Sequence, residues 1–70
     1  MTDGQALKEE IKKSGIKMKH IAEVLDCSRN RVYSIINGAD CTASEIVKIT
    51  QVLHLDKAKR DQIFLSKNVN

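Results

Sequence analysis

The sequence predicts an all-α fold, a compact bundle of about five short helices that forms a single domain over residues 1–70. The chain lacks proline, apolar residues make up 41% of it, and aromatic residues make up only 3%. This composition is rich in helix-forming residues and too apolar for a disordered chain. Apolar residues also recur at three- and four-residue intervals, which is typical of amphipathic helices.

The first helix is expected to begin after Asp3 or Thr2, because either side chain can cap the free backbone N–H groups of a helix. Leu7 and Ile11 share one face and form its buried side. Gly15 is expected to end it, since glycine readily adopts the left-handed conformation that closes a helix.

The second and third helices are predicted over Met18 to Leu25 and over about residues 29–37. Asp26 between them tolerates a left-handed backbone, and Ser28 can cap the next helix, so the break is a sharp corner. Gly38 supplies the stop after the third helix. Both helices present an apolar side to a shared core, and the two together form a motif over residues 18–38.

The fourth helix has the clearest start in the chain, because Thr42 and Glu45 form a capping box. Its apolar stripe consists of Ile46, Ile49, Val52 and Leu53. A last helix is expected to open at Asp56 and to carry Ala58, Ile63 and Phe64. The polar residues 66–70 are expected to fray or to extend that helix.

Size and composition argue against several classes of function. A chain of 70 residues is too small for a large enzymatic cleft. His20 and His54 have no acid, serine or cysteine at a spacing that suggests catalysis or metal binding, so we expect no enzyme, no cofactor and no metal. No apolar run reaches the roughly 20 residues of a membrane span. The N-terminus also lacks the order of a signal peptide, so a cytosolic location is expected.

The two cysteines, Cys27 and Cys41, do not have the spacing of a zinc site. We expect both to be reduced thiols packed as small apolar side chains. A disulfide is possible only if the two lie beside each other in the fold.

The formal net charge is +3, and the excess of basic residues is concentrated around the two-helix motif. Between residues 12 and 38, basic residues outnumber acidic ones by six to two. The basic residues are Lys12, Lys13, Lys17, Lys19, Arg29 and Arg31. A basic patch on one motif is typical of nucleic-acid binding.

The outer side of the third helix carries side chains that can recognise DNA bases. Because Val32, Ile35 and Ile36 turn inward, the opposite side presents Arg29, Asn30, Tyr33, Ser34 and Asn37. Arginine pairs with guanine, asparagine pairs with adenine, and serine adapts to either. Tyrosine can reach a phosphate or a thymine methyl group. A polar outer face is also common on surface helices of any small bundle.

An apolar triplet, Ile63, Phe64 and Leu65, stands near the end of the last helix. One helix face in a small core does not bury three consecutive apolar residues. One interpretation is a dimer contact through this end of the chain. In the other, Phe64 closes the core and Leu65 covers its edge.

From Leu7 to about Phe64 the chain resembles the Cro and C1 type of helix-turn-helix protein, the Xre-like or lambda-repressor-like family. Ile21-Ala22 and Leu25 look like the apolar positions of the first motif helix. Val32 and Ile35 look like the buried positions of the recognition helix, and Asn37-Gly38 resembles its stop. Residues 42–55 are similar to the fourth helix. Residues 61–65 look like the ending of small prophage-encoded members.

The resemblance implies sequence-specific binding of double-stranded DNA by a transcriptional repressor, with the third helix in the major groove. It implies a homodimer on a palindromic operator, in the cytoplasm of a bacterial or phage-infected cell and at its nucleoid. The positions that it assigns to base edges are Arg29, Asn30 and Ser34. Ser28, Tyr33 and Asn37 lie near phosphates or bases, and Lys17, Lys19 and Arg31 add charge toward the backbone.

Three residues depart from the family pattern. Met18 stands in place of a glutamine that contacts the DNA backbone, Lys17 in place of a serine or threonine cap, and Asp26 in place of a glycine. The departures at Met18 and Asp26 motivate an alternative function, a protein-interaction module that has lost DNA binding. An antitoxin-like autorepressor is a further alternative that shares the same DNA chemistry.

Overall fold

The computed structural model describes residues 2–65, and all regular structure within them is helical. The five helices are α1 (Gly4–Ser14), α2 (Met18–Leu25), α3 (Arg29–Ile36), α4 (Ala43–Val52) and α5 (Lys57–Phe64). The predicted all-helical class is confirmed for this part of the chain. The expected fraying or extension over residues 66–70 lies outside the described residues.

The helix ends follow the capping residues that the sequence predicts. Asp3 caps α1 by accepting a hydrogen bond from the backbone N–H of Ala6, and Gly15 closes it in the left-handed region at φ 72°. Thr42 and Glu45 form the predicted capping box at the start of α4. Local chemistry therefore determines where these helices begin and end, before any packing is considered.

A three-residue corner joins α2 to α3. Asp26 adopts the left-handed conformation at φ 55° and ψ 47°, and its backbone N–H donates to the carbonyls of α2. Ser28 then caps α3, accepting from the N–H of Arg31 at 3.2 Å. The corner uses the backbone of Asp26 and the side chain of Ser28, as the sequence predicts.

The core draws on all five helices. Its largest fully buried side chains are Leu7, Ile21, Val32, Ile35, Ile49 and Ile63. Helix α2 packs on both α3 and α4, while α1 packs on α3 and α5. Because Val32 and Ile35 are buried in this core, the orientation of α3 is fixed and its opposite side faces solvent.

The N-terminal residues are tied closely to the rest of the bundle. The backbone N–H of Asp3 donates to the carbonyl of Ile63 at 2.6 Å, and the Thr2 hydroxyl lies 3.8 Å from the Cys41 sulfur. Gly4 is buried against the backbone at the end of α3, beside Ile36 and Gly38. The start of α1 is thus wedged between α3 and α5.

The apolar triplet is divided between core and surface. Ile63 and Phe64 are buried, whereas Leu65 is 60% exposed. A dimer contact through the Ile63 or Phe64 side chain, which one interpretation of this triplet allowed, is corrected, because both side chains are enclosed by their own chain. Of these three residues, only Leu65 is exposed to a partner.

None of the helices within residues 2–65 is long and apolar enough to cross a membrane.

Candidate nucleic-acid interface

One side of α3 is a continuous polar surface, which we call the α3 face. It consists of Arg29, Asn30, Tyr33, Ser34 and Asn37, all of which are exposed. The buried residues Val32 and Ile35 lie on the opposite side of the same helix. A helix held from behind in this way presents its outer side chains from a fixed backbone.

Hydrogen bonding within the α3 face is local. The Ser34 hydroxyl donates to the backbone carbonyl of Asn30 at 3.1 Å, one turn back. This bond uses the only hydrogen of the hydroxyl but leaves its oxygen able to accept. Tyr33 is 51% exposed and stands beside Asn37 at the C-terminal end of the face.

Lys17 and Lys19 flank the first residue of α2 and are both exposed. Lys17 occupies the N-cap position of α2 but makes no side-chain capping bond there. The start of α2 therefore carries two cations, with the partial positive charge of the helix N-terminus between them.

Arg31 has a different environment from the rest of the predicted site. Its Nε donates to Glu45 Oε2 at 2.9 Å, and its Nη2 donates both to Glu45 Oε1 at 2.8 Å and to the carbonyl of Asp40 at 2.9 Å. These contacts join α3 to the start of α4. Arg31 was expected to contact DNA, but the structure commits its guanidinium to this internal pair.

The sequence contains a signal for the contact between Arg31 and Glu45. Arg31 precedes the buried Ile35 by four positions, so both residues lie on the same side of α3. The carboxylate of the capping box, at Glu45, is the acceptor that this side of the helix meets. The helical periodicity that defines the α3 face therefore also separates Arg31 from it.

The Arg31–Glu45 pair has a pH signature. Hydrogen bonds from Arg31, supported by the backbone N–H of Thr42, lower the pKa of Glu45 from 4.5 to about 2 although the carboxylate is partly buried. The folded state therefore favours the ionised carboxylate more strongly than the unfolded state does. The stability that follows is present above about pH 4.5 and is lost as the pH falls toward 2.

We expect Glu45→Gln to lower the free energy of unfolding by about 2 kcal/mol at pH 7, since hydrogen bonds to a charged group are replaced by weaker ones. The difference from the wild type should shrink between pH 4.5 and 2, where the wild type itself loses the pair. Urea unfolding at pH 7, 4 and 2 measures it. Glu9→Gln removes the same charge from an exposed site and is the control. An identical pH dependence for both variants would contradict the assignment.

The cysteines lie near this pair and are both free thiols. Burial is the main cause that raises the pKa of the Cys27 thiol and the pKa of the Cys41 thiol. Both therefore favour the protonated form. Within residues 2–65, no cluster of three or more His, Cys, Asp or Glu side chains could hold a metal ion.

Comparison with protein-family models, with curated proteins and with solved structures found no match for this chain.

Proposed function

We propose that this chain binds double-stranded DNA at specific sequences and regulates transcription, as a helix-turn-helix protein of the lambda-repressor-like type. In this proposal α2, the corner and α3 are the motif, and α3 enters the major groove. The observation that carries the proposal is the α3 face, a continuous polar surface on a helix whose other side is buried in the core. Arg29 and Asn30 project from its first turn, where a recognition helix meets base edges.

The charges around the α3 face support the same function. Lys17 and Lys19 lie on either side of Met18, the first residue of α2, and Arg29 is the first residue of α3. A DNA strand that passes the two helix starts would meet cations and free backbone N–H groups. Arg31 is removed from the proposed contacts because Glu45 already holds it, and Ser28 is kept as the N-cap that faces the phosphates.

We further propose that the protein binds a palindromic site as a homodimer. A groove of about 390 Å³ between α4 and α5 includes the exposed apolar side chains Val47 and Leu65. Arg60 and Asp61 also line it, and they pair at 3.1 Å. One cation and one anion beside an apolar centre make a surface that can meet a copy of itself across a twofold axis.

Selection of bound duplexes from a random pool, followed by gel shifts at two salt concentrations, tests the proposal. We expect a palindromic sequence to be enriched. On that sequence Arg29→Ala should cost about 1–3 kcal/mol of binding free energy and relax base choice at one position. Lys19→Ala should weaken all sequences equally and lower the salt slope by about one, whereas Lys57→Ala on α5 should not.

Equal losses for Arg29→Ala on the selected and on random duplexes would remove that residue from the base-reading set. If the wild type shows no salt-sensitive binding at micromolar protein, the function itself is wrong. The exposed groove between α4 and α5 then favours the alternative, a module that docks on another protein.

A further inference from the structure

A second groove lies between α1, the start of α2 and α3, and has a volume of about 320 Å³. We call it the α1–α3 groove. Its apolar floor is formed by Ile11, Met18 and Ile36. Met18 and Ile36 are only partly buried, so the floor is open to a ligand from outside.

Both rims of the groove are polar, and one of them is positively charged. Lys8 and Lys12 from α1 form one rim, and Tyr33 and Asn37 from α3 form the other. Among the described residues that line the groove, the only ionised side chains are the two lysines. Neither lysine forms an ion pair within residues 2–65.

Neither glutamate of α1, Glu9 or Glu10, lines this groove. The Glu10 carboxylate lies on the α5 side, where its Oε2 is 3.6 Å from both Lys13 Nζ and Lys59 Nζ. Lys8 and Lys12 are left as a separate pair, about 6 Å apart along the helix axis. Neighbouring phosphates of one DNA strand are about 3.4 Å apart along the duplex. The two flexible lysine side chains can therefore each contact a different phosphate of the same strand.

We infer that the α1–α3 groove holds the sugar–phosphate backbone of the DNA strand that runs past the α3 face, with Lys8 and Lys12 bound to its phosphates. The inference rests on the proposed function and extends the contact surface to α1. Continuity with the α3 face supports it, because Tyr33 and Asn37 belong to both surfaces. Met18 joins the groove to the cations Lys17 and Lys19. The apolar floor suits deoxyribose, and the lysines suit phosphate.

The test compares two double variants of equal charge. Lys8→Gln/Lys12→Gln removes the groove cations, and Lys57→Gln/Lys59→Gln removes two cations from α5, outside the basic patch and the groove. Each lowers the formal net charge by two from +3. Thermal unfolding verifies that both are folded. Binding to a selected and to a random duplex is then measured over a range of salt concentrations.

We expect the groove variant to reduce the slope of log K against log salt by about 1.8, that is, about 0.9 for each phosphate contact. The loss should be the same on both duplexes, because backbone contacts are independent of sequence. The control variant should keep the wild-type slope. Salt-dependent wild-type binding with equal slopes in all three proteins would overturn the groove contact alone. No wild-type binding at all would overturn the proposed function and this inference together.

A second measurement reports on the floor of the groove. With methionine methyl groups labelled with ¹³C, the Met18 signal is assigned by its loss in Met18→Leu. It should shift when a duplex is added to the wild type, and shift less in Lys8→Gln/Lys12→Gln. A shift with rising protein concentration and no DNA would show that a second copy fills the groove, which overturns the inference.

Discussion

Gly4→Ala is expected to lower the free energy of unfolding by about 3 kcal/mol, in a domain whose core supplies only about 3–5 kcal/mol. A Cβ atom at this position would overlap the carbonyl oxygen of Ile36 and lie 2.6 Å from its carbonyl carbon and 3.2 Å from the backbone nitrogen of Gly38. All three atoms belong to the backbone, so no side-chain rotation relieves the clash. Either α1 must separate from the end of α3, or the chain must unfold.

The sign of the change in the free energy of unfolding shows whether packing or helix propensity dominates at Gly4. Gly4 is the first residue of α1, and alanine is more favourable than glycine in a helix by up to about 1 kcal/mol. If local propensity dominated, Gly4→Ala would stabilise the protein. Urea unfolding followed by circular dichroism decides between the two signs.

Gly15→Ala is the matched control for Gly4→Ala. A Cβ at Gly15 meets no atom within 4 Å, but the residue has φ +72°. We therefore expect a loss of only about 1 kcal/mol, from backbone strain alone. Equal losses for the two variants, or a gain for Gly4→Ala, would contradict the close approach of α1 and α3.

Sequence reasoning succeeded where the decisive interaction is local. The capping box at Thr42 and Glu45, the left-handed Asp26 and the stop at Gly15 each depend on residues within four positions of one another. Short-range backbone chemistry of this kind can be inferred from residue type and spacing. The number and order of the helices in the described residues follow from it.

Sequence reasoning was incomplete where the partner lies on another helix. A pattern along the chain does not show that Gly4 meets the backbone of α3 or that Arg31 reaches Glu45 across 14 positions. The sequence pattern also does not place Lys8 near Tyr33, because that position depends on how α1 packs on α3. Helical periodicity predicts the α3 face. Which residues of α1 and α4 lie next to that face is known only from the structure.

Ile63→Ala is the second variant with a large expected effect, a loss of about 3 kcal/mol in the free energy of unfolding. The Ile63 side chain is completely enclosed, and its backbone carbonyl accepts from Asp3. Truncation leaves a cavity where α5 meets α1, and a small core has few side chains able to fill it. Urea unfolding at low protein concentration, where a dimer would dissociate, measures this loss in the monomer.

Leu65→Ala distinguishes the role of the core from that of a dimer contact. Leu65 caps the end of α5 with 60% of its surface exposed, so its removal should change monomer stability by no more than about 0.5 kcal/mol. If α5 carries the proposed dimer contact, sedimentation should instead show weaker self-association for Leu65→Ala. The opposite outcome is that Ile63→Ala weakens the dimer and leaves monomer stability unchanged. Ile63 would then belong to the dimer interface, and its assignment to the core would be wrong. Leu65→Ala and Ile63→Ala thus distinguish a dimer contact from a core position, although the two residues lie within one stretch of three apolar residues.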